Sequence, residues 1–282
     1  MTDAEGMQYV ARPPVPALAG MVYDLYYLAG VPPYSWLTLP PMPGALLVVN
    51  LGDPFRIAHG GVTEDFADGC VWGALTSRID FAYPSPTRSV GVHLKPWGLV
   101  PFTGVPATAM LDLPLPVEAL WGSATKELAE RIDAAGSPHA MLDLLEQALL
   151  DRLEPFPDLD LVRRTGTVIA DRWGRVSIGG LGEAAGVSST HLADRFKSLV
   201  GLTPKRLART YRFADVVVSI DPAGDVDWAE VAHRAGFYDQ SHLTNELQRF
   251  TGLTPTAYLE RRRRFAAEHA GSALDVGLLP PA

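Results

Sequence analysis

Between residues 20 and 112 the apolar positions come in short runs rich in Val, Leu, Tyr and Trp, punctuated by Pro and Gly. Five runs read as strands: Met21–Leu28, Ala45–Asn50, Gly69–Leu75, Ile79–Tyr83 and Ser89–Leu94. Short strands at this spacing predict an antiparallel sandwich or barrel. From Ser123 the period lengthens. Ser137 and Pro138 suit the cap and first residue of a helix, and Met141, Leu144, Leu145, Ala148 and Leu149 come after them at helical spacing. That stripe could cover the chain's own barrel or meet a second copy in a homodimer. The Pro-rich stretch Glu154–Asp158 then divides the chain. We expect an α+β fold, with a β-rich region with one or two helices over residues 1–155 and an all-α domain over 156–268. Residues 269–282 read as a tail.

The helical part repeats itself at an offset of 51 residues. Gly201-Leu-Thr-Pro204 returns as Gly252-Leu-Thr-Pro255, and His191-Leu192 as His242-Leu243. Phe196 becomes Leu247, Leu199 becomes Phe250 and Leu207 becomes Tyr258. One turn earlier, Glu183–Gly186 corresponds to Val231–Gly236 with a one-residue insertion in the second copy. Duplication explains this register better than chance.

Each copy has the grammar of a helix, a tight turn and a second helix. Ala184 and Ala185 are small, Gly186 permits a positive φ, and Ser188 can cap the second helix. Leu192, Phe196 and Leu199 then line one helical face; Leu243, Leu247 and Phe250 do so in the second copy. A helix–glycine–helix unit is also an ordinary piece of a helical bundle, so one copy alone says little. Two copies joined by a long helix from Pro204 to Ile220 say more. Such a helix could hold two recognition helices about 34 Å apart, the spacing of successive major grooves.

Charge refines the picture. The net charge is −8, yet residues 1–155 hold 8 Lys and Arg against 17 Asp and Glu, and the remainder is nearly balanced. A pI near 5.3 argues against a generic polyanion binder but permits a module with its basic groups on one face. One cysteine, Cys70, excludes an internal disulfide framework and any multi-cysteine metal site. The N-terminus is acidic and no apolar run approaches the roughly 20 residues of a membrane span. We expect a cytoplasmic protein without a membrane partner.

From about Asp160 to Arg264 the chain resembles the AraC/XylS family of bacterial transcription regulators. The resemblance rests on Ala235-Gly-Phe-Tyr-Asp-Gln-Ser-His-Leu243 followed by Gly252-Leu-Thr-Pro-Thr-Ala-Tyr258. It implies a seven-helix domain with two helix-turn-helix units that binds double-stranded DNA. The first 155 residues are similar, less closely, to the cupin-like barrels that accompany some such regulators, which bind a small effector or mediate dimerisation. An activator of this kind would also meet RNA polymerase.

Carried over by position, the first recognition helix runs from about Ser188 to Leu199. Thr190, Ala193 and Asp194 would face bases, with Ser189 and Lys197 nearer phosphates. The second, about Asp239–Phe250, would offer Gln240, Ser241, Thr244 and Asn245, with Gln248 near the backbone. Family members often carry Arg where Asp194 and Asn245 stand, and Phe-Lys where Leu247-Gln248 stands. Arginine reads guanine, whereas Asp accepts from cytosine and Asn pairs with adenine. The departure means either an altered preference or a weakened unit. In the run Arg261–Arg264, Arg261 and Arg262 are further candidates for phosphate contact, although such runs are commonly solvated helix ends.

For the first region, aromatics suit both a core and a ligand pocket. Tyr26, Trp36, Trp72, His93 and Trp97 are the candidate ligand residues. The scarcity of histidines argues against a metal, and we expect no cofactor. No nucleophile elbow, phosphate loop or zinc-protease motif is present, so an enzyme is not expected. Two alternatives stay open: a catalytic barrel tethered by the helical domain, and a helical module that serves protein interaction after losing its arginines.

Overall fold

The computed structural model describes residues 6–32 and 35–268. Ten strands come first: β1 Gln8–Arg12, β2 Val22–Gly30, β3 Leu37–Leu39, β4 Ala45–Asn50, β5 Phe55–His59, β6 Val62–Phe66, β7 Gly69–Trp72, β8 Ile79–Ala82, β9 Thr87–Leu94 and β10 Leu115–Pro116. They form two antiparallel sheets, one ordered β1-β2-β9-β4-β7-β10 and the other β3-β8-β5-β6. All five expected strands are present. The others are short, and the β5–β6 hairpin turns on Gly60-Gly61, both at positive φ, a turn signal legible in the sequence.

Strand alternation divides the larger sheet into two faces. Leu25, Tyr27, Leu47, Val49, Val90, Val92 and Leu94 point one way, into the main apolar core. Tyr26, Leu28, Leu46, Val48, Ser89 and His93 point the other way, toward the smaller sheet. The first face is covered by α3 (Ala124–Asp133) and α4 (Pro138–Leu150), which come after two single turns, α1 (Val100–Thr103) and α2 (Glu118–Trp121). Ser137 caps α4 by accepting the Ala140 N–H at 3.3 Å. Met141, Leu142, Leu145 and Leu149 are buried in that core, so the chain's own sheet takes the stripe that could have met a second copy.

Seven helices complete the described chain: α5 Leu159–Asp171, α6 Ile178–Ala184, α7 Ser189–Val200, α8 Pro204–Ser219, α9 Trp228–Arg234, α10 Gln240–Thr251 and α11 Pro255–Glu268. They make two cores. Leu207, Ala208 and Tyr211, from the first half of α8, join α5, α6 and α7. Phe213, Val216 and Val217, from its second half, join α9, α10 and α11. The duplication therefore runs from α5, with α8 closing the first unit and opening the second. The tail beyond 268 lies outside the described residues.

Candidate functional site

The two turn regions are built alike. Ser188 caps α7 by accepting the His191 N–H at 3.1 Å, and Asp239 caps α10 by accepting the His242 N–H at 2.7 Å. Gly186 and Gly236 take positive φ in the turns, and Gly201 and Gly252 take it at the helix ends. Val187 and Phe237 donate back to Gly182 and Ala232, which fixes their equivalence. The residue inserted in the second copy is therefore Tyr238, at the tip of the turn and 93% exposed.

Both capped helices present their predicted residues outward. Ser189, Thr190, Asp194 and Lys197 are exposed on α7, with Ala193 half-buried. Gln240, Ser241, Asn245 and Gln248 are exposed at the matching positions of α10. Thr244 is half-buried and donates its hydroxyl to the Gln240 carbonyl at 2.9 Å. Asp194 stands 3.6 Å from Lys197, so the one cation among these α7 positions has a carboxylate beside it.

The arginine run differs from expectation. Arg262 is buried, with Nη1 donating to the Val217 carbonyl at 3.3 Å and to the Tyr258 hydroxyl at 3.2 Å. It closes the second core and is not placed at the surface. Arg261 is half-buried, and burial lowers its pKa, with Arg78 and Arg264 adding to the effect. Arg263 donates to the Pro222 and Gly224 carbonyls. The run lies in the middle of α11, where adjacent residues point about 100° apart, so four adjacent arginines cannot share one face.

Sequence reasoning missed what fixes the two units together. Arg175, before α6, reaches Asp215 on α8 at 2.5 Å and the Arg234 carbonyl at 3.3 Å. Arg212 donates to the Gly174 carbonyl at 2.9 Å and lies over the Phe237 ring. No motif announces these contacts, which depend on chain crossings.

The β-rich region meets α7 and α10 at their C-terminal ends. A Cβ at Gly201 would stand 3.0 Å from the Ala107 carbonyl, and one at Gly252 would stand 3.4 Å from Arg78 Nη1. Arg78 also donates to the Thr251 carbonyl at 3.2 Å, a cation where the helix dipole favours one. A third contact starts at the bulge between Val22 and Asp24, where the register of β2 on β9 shifts. The extra residue is Tyr23, and its hydroxyl lies 3.3 Å from that of Tyr211 on α8.

Between the sheets lies a cavity of about 290 Å³, lined by Tyr9, Tyr26, Phe55, Trp72, Phe81 and Tyr83 among others. Tyr26, Trp72 and His93 thus come together as expected. Trp97 does not: it is buried in the first helical core, with Nε1 donating to the Gly20 carbonyl at 2.9 Å. A Cβ on Gly166 of α5 would fall 2.4 Å from its ring. Trp36 is half-buried at the start of β3 and does not line the cavity. Cys70 is buried, and burial pushes its thiol up, away from a reactive thiolate. Among the described residues no cluster of His, Cys, Asp and Glu forms a metal site, and no helix is long and apolar enough to cross a membrane.

Residues 181–261 match the profile of a helix-turn-helix domain, and residues 11–116 match a domain of unknown function (DUF6597). No curated protein sequence matches the chain. Similar solved structures include ToxT from Vibrio cholerae O395, 11% identical over 90% of this chain and 97% of that one, with a TM-score of 0.44. Wild-type ToxT from Vibrio cholerae strain SCE256, solved bound to unsaturated fatty acid, is 12% identical over 89% and 94% of the two chains, with a TM-score of 0.43. The AraC-like transcriptional activator CuxR is 11% identical over 71% and 84%, with a TM-score of 0.24. Residues 181–261 thus carry a helix-turn-helix domain, and residues 11–116 before it belong to a separate domain family of unknown function.

Proposed function

We propose that the chain is a sequence-specific DNA-binding transcription regulator. The observation that carries this reading is the tandem of capped helices with corresponding side chains exposed at Thr190, Asp194 and Lys197 and at Ser241, Asn245 and Gln248. Residues 156–268 would engage two successive major grooves. Residues 1–155, with their cupin-like pair of sheets, would control that engagement through a small effector in the interior cavity or through dimerisation. The contacts of Arg78, Ala107 and Tyr23 with the two units support control by shift of population: an effector favours the arrangement in which both half-sites can be met. The regulator would work in the cytoplasm, as an activator with RNA polymerase as partner. A homodimer would use a surface other than the covered stripe of α4. Its chemistry is binding rather than turnover.

A second reading, a protein-interaction module, is favoured by one observation. No arginine stands at the base-facing positions, and Lys197 lies beside Asp194. Fluorescence anisotropy across a salt series decides between them, using duplexes from the protein's own upstream region and a shuffled control. The regulator reading expects a preference of roughly a thousandfold or more. Equal binding by the full chain and by residues 156–282, with every fragment tested, would leave the interaction module.

A further inference from the structure

The interior cavity is aromatic and is lined by no Lys or Arg. One wall stacks three rings: Tyr9 on Tyr26 at 5.9 Å and Tyr26 on His93 at 4.7 Å, the planes within 25°. Gly91 makes this possible, since a Cβ there would stand 2.4 Å from the Tyr26 hydroxyl. The facing wall sets Phe55, Phe81 and Tyr83 at steep angles to one another, with Trp72 beside them. No Lys or Arg lines this cavity or the adjoining one of about 570 Å³, which shares Leu39, Leu46, Trp72 and His93 with it.

The polar groups lining the cavity are His93, Ser89 and the hydroxyls of Tyr9, Tyr26 and Tyr83. His93 Nδ1 lies 2.7 Å from Asp24 Oδ1, and a carboxylate can only accept, so Nδ1 carries the hydrogen. Nε2 is then the one ring nitrogen that can accept. The pair with Asp24 adds no net positive charge to the wall. A carboxylate or phosphate would be desolvated there without compensation. A saturated ligand would forgo the edge-to-face contacts that the aromatic lining offers. At about 290 Å³ the slot sits at the small end of ligand pockets, which span roughly 300–1,000 Å³.

We infer that the cavity between the sheets takes an uncharged, planar aromatic molecule bearing one O–H or N–H donor, held by His93 between the Tyr9–Tyr26–His93 row and the facing rings of Phe55, Phe81 and Tyr83. This rests on the reading of the β-rich region as an effector domain and names the chemistry of the effector. The other polar groups of the cavity, Ser89 and the hydroxyls of Tyr9, Tyr26 and Tyr83, are uncharged.

Calorimetry on the full chain tests it with indole, 1-methylindole, benzoate, benzylammonium and cyclohexanol. Indole is expected to bind at least tenfold more tightly than each of the others. His93→Phe keeps a ring but removes the acceptor, and is expected to abolish the preference for indole over 1-methylindole. Should that variant fail to fold, the wild-type comparison of the two indoles stands alone. Benzoate, benzylammonium or cyclohexanol binding as well as indole overturns the inference, and so does absence of heat with every probe at millimolar concentration. Anisotropy on the same preparation separates the two readings. Operator preference with no aromatic binding condemns the ligand class alone, whereas loss of operator preference condemns the regulator.

Discussion

Glu246 on α10 is held by Arg209 on α8 in a forked pair, with Nε donating to Oε2 at 2.9 Å and Nη2 to Oε1. Fifty-one residues earlier the same two places hold Arg195 and Asp158, 3.3 Å apart, with the charges exchanged. The pairing is kept while the signs are exchanged: one pair ties α10 to α8, and the other ties α7 to Asp158, the residue before α5. The Glu246 carboxylate is 10% exposed, whereas the earlier pair is 35–40% exposed. Glu246→Ala is therefore expected to cost about 2–3 kcal/mol and to weaken the second half-site selectively. Asp158→Ala is expected to cost about 0–1 kcal/mol. Urea unfolding of both variants measures this, and equal losses would contradict it.

Base readout should track the side chains present. Asn245→Arg is expected to shift the preferred base under α10 from adenine toward guanine and to steepen the salt dependence by about one unit of slope. Asp194→Ala frees Lys197, so affinity for random duplex rises while preference at that position falls. Selection from a random-sequence pool reads both. A guanine already preferred under Asn245 in the wild type would refute the assignment.

Arg262→Ala should act on stability and leave DNA affinity's salt slope unchanged. The Val217 carbonyl and Tyr258 hydroxyl lose their donor in a buried place, a loss of about 2–4 kcal/mol. Exposed Arg264→Ala is expected to change stability by less than about 0.5 kcal/mol. If Arg262→Ala folds as well as wild type and flattens the salt slope, the arginine belongs to DNA after all.

Alkaline pH should unfold the protein. Burial raises Tyr9 to about 12 and pushes Tyr26, Tyr83 and Tyr211 up as well, above the unfolded value near 10. The unfolded chain then loses protons first, so stability is full below pH 10 and falls as pH rises beyond it. The urea midpoint should drop between pH 9 and pH 11, with tyrosinate absorbance appearing together with unfolding. Tyrosinate formed on a folded chain would disprove the burial argument.

Gly166→Ala puts a methyl into the Trp97 ring. Overpacking of about 1–3 kcal/mol is expected, with faster hydrogen exchange where α5 meets residues 97–107. Unchanged exchange there would show that the contact carries no load between the two regions.

Much of this architecture is legible in the chain. Leu192, Phe196 and Leu199 mark the first helical face, and the return of Gly-Leu-Thr-Pro locates the second, because caps and turns are local chemistry that a sequence writes openly. Trp97 reads as a pocket residue because nothing near it in sequence reveals that α5 will pack on its ring. Arg262 misleads for a similar reason: a run of four cations looks solvated until a helix turns one of them inward. Tyr26 and His93 are visible as single residues, but the slot they share with Phe81 and Tyr83 comes from two sheets meeting.

The double role of α8 sets a phase. It is 16 residues long, roughly 24 Å, and belongs to both cores. Adding one residue to its middle would turn everything after it by about 100° and advance it by about 1.5 Å. On the proposed function, the second recognition helix would then look away from the groove it reads. The distance between half-sites is thus written in helical pitch inside one chain, where a pair of separate subunits could let it drift.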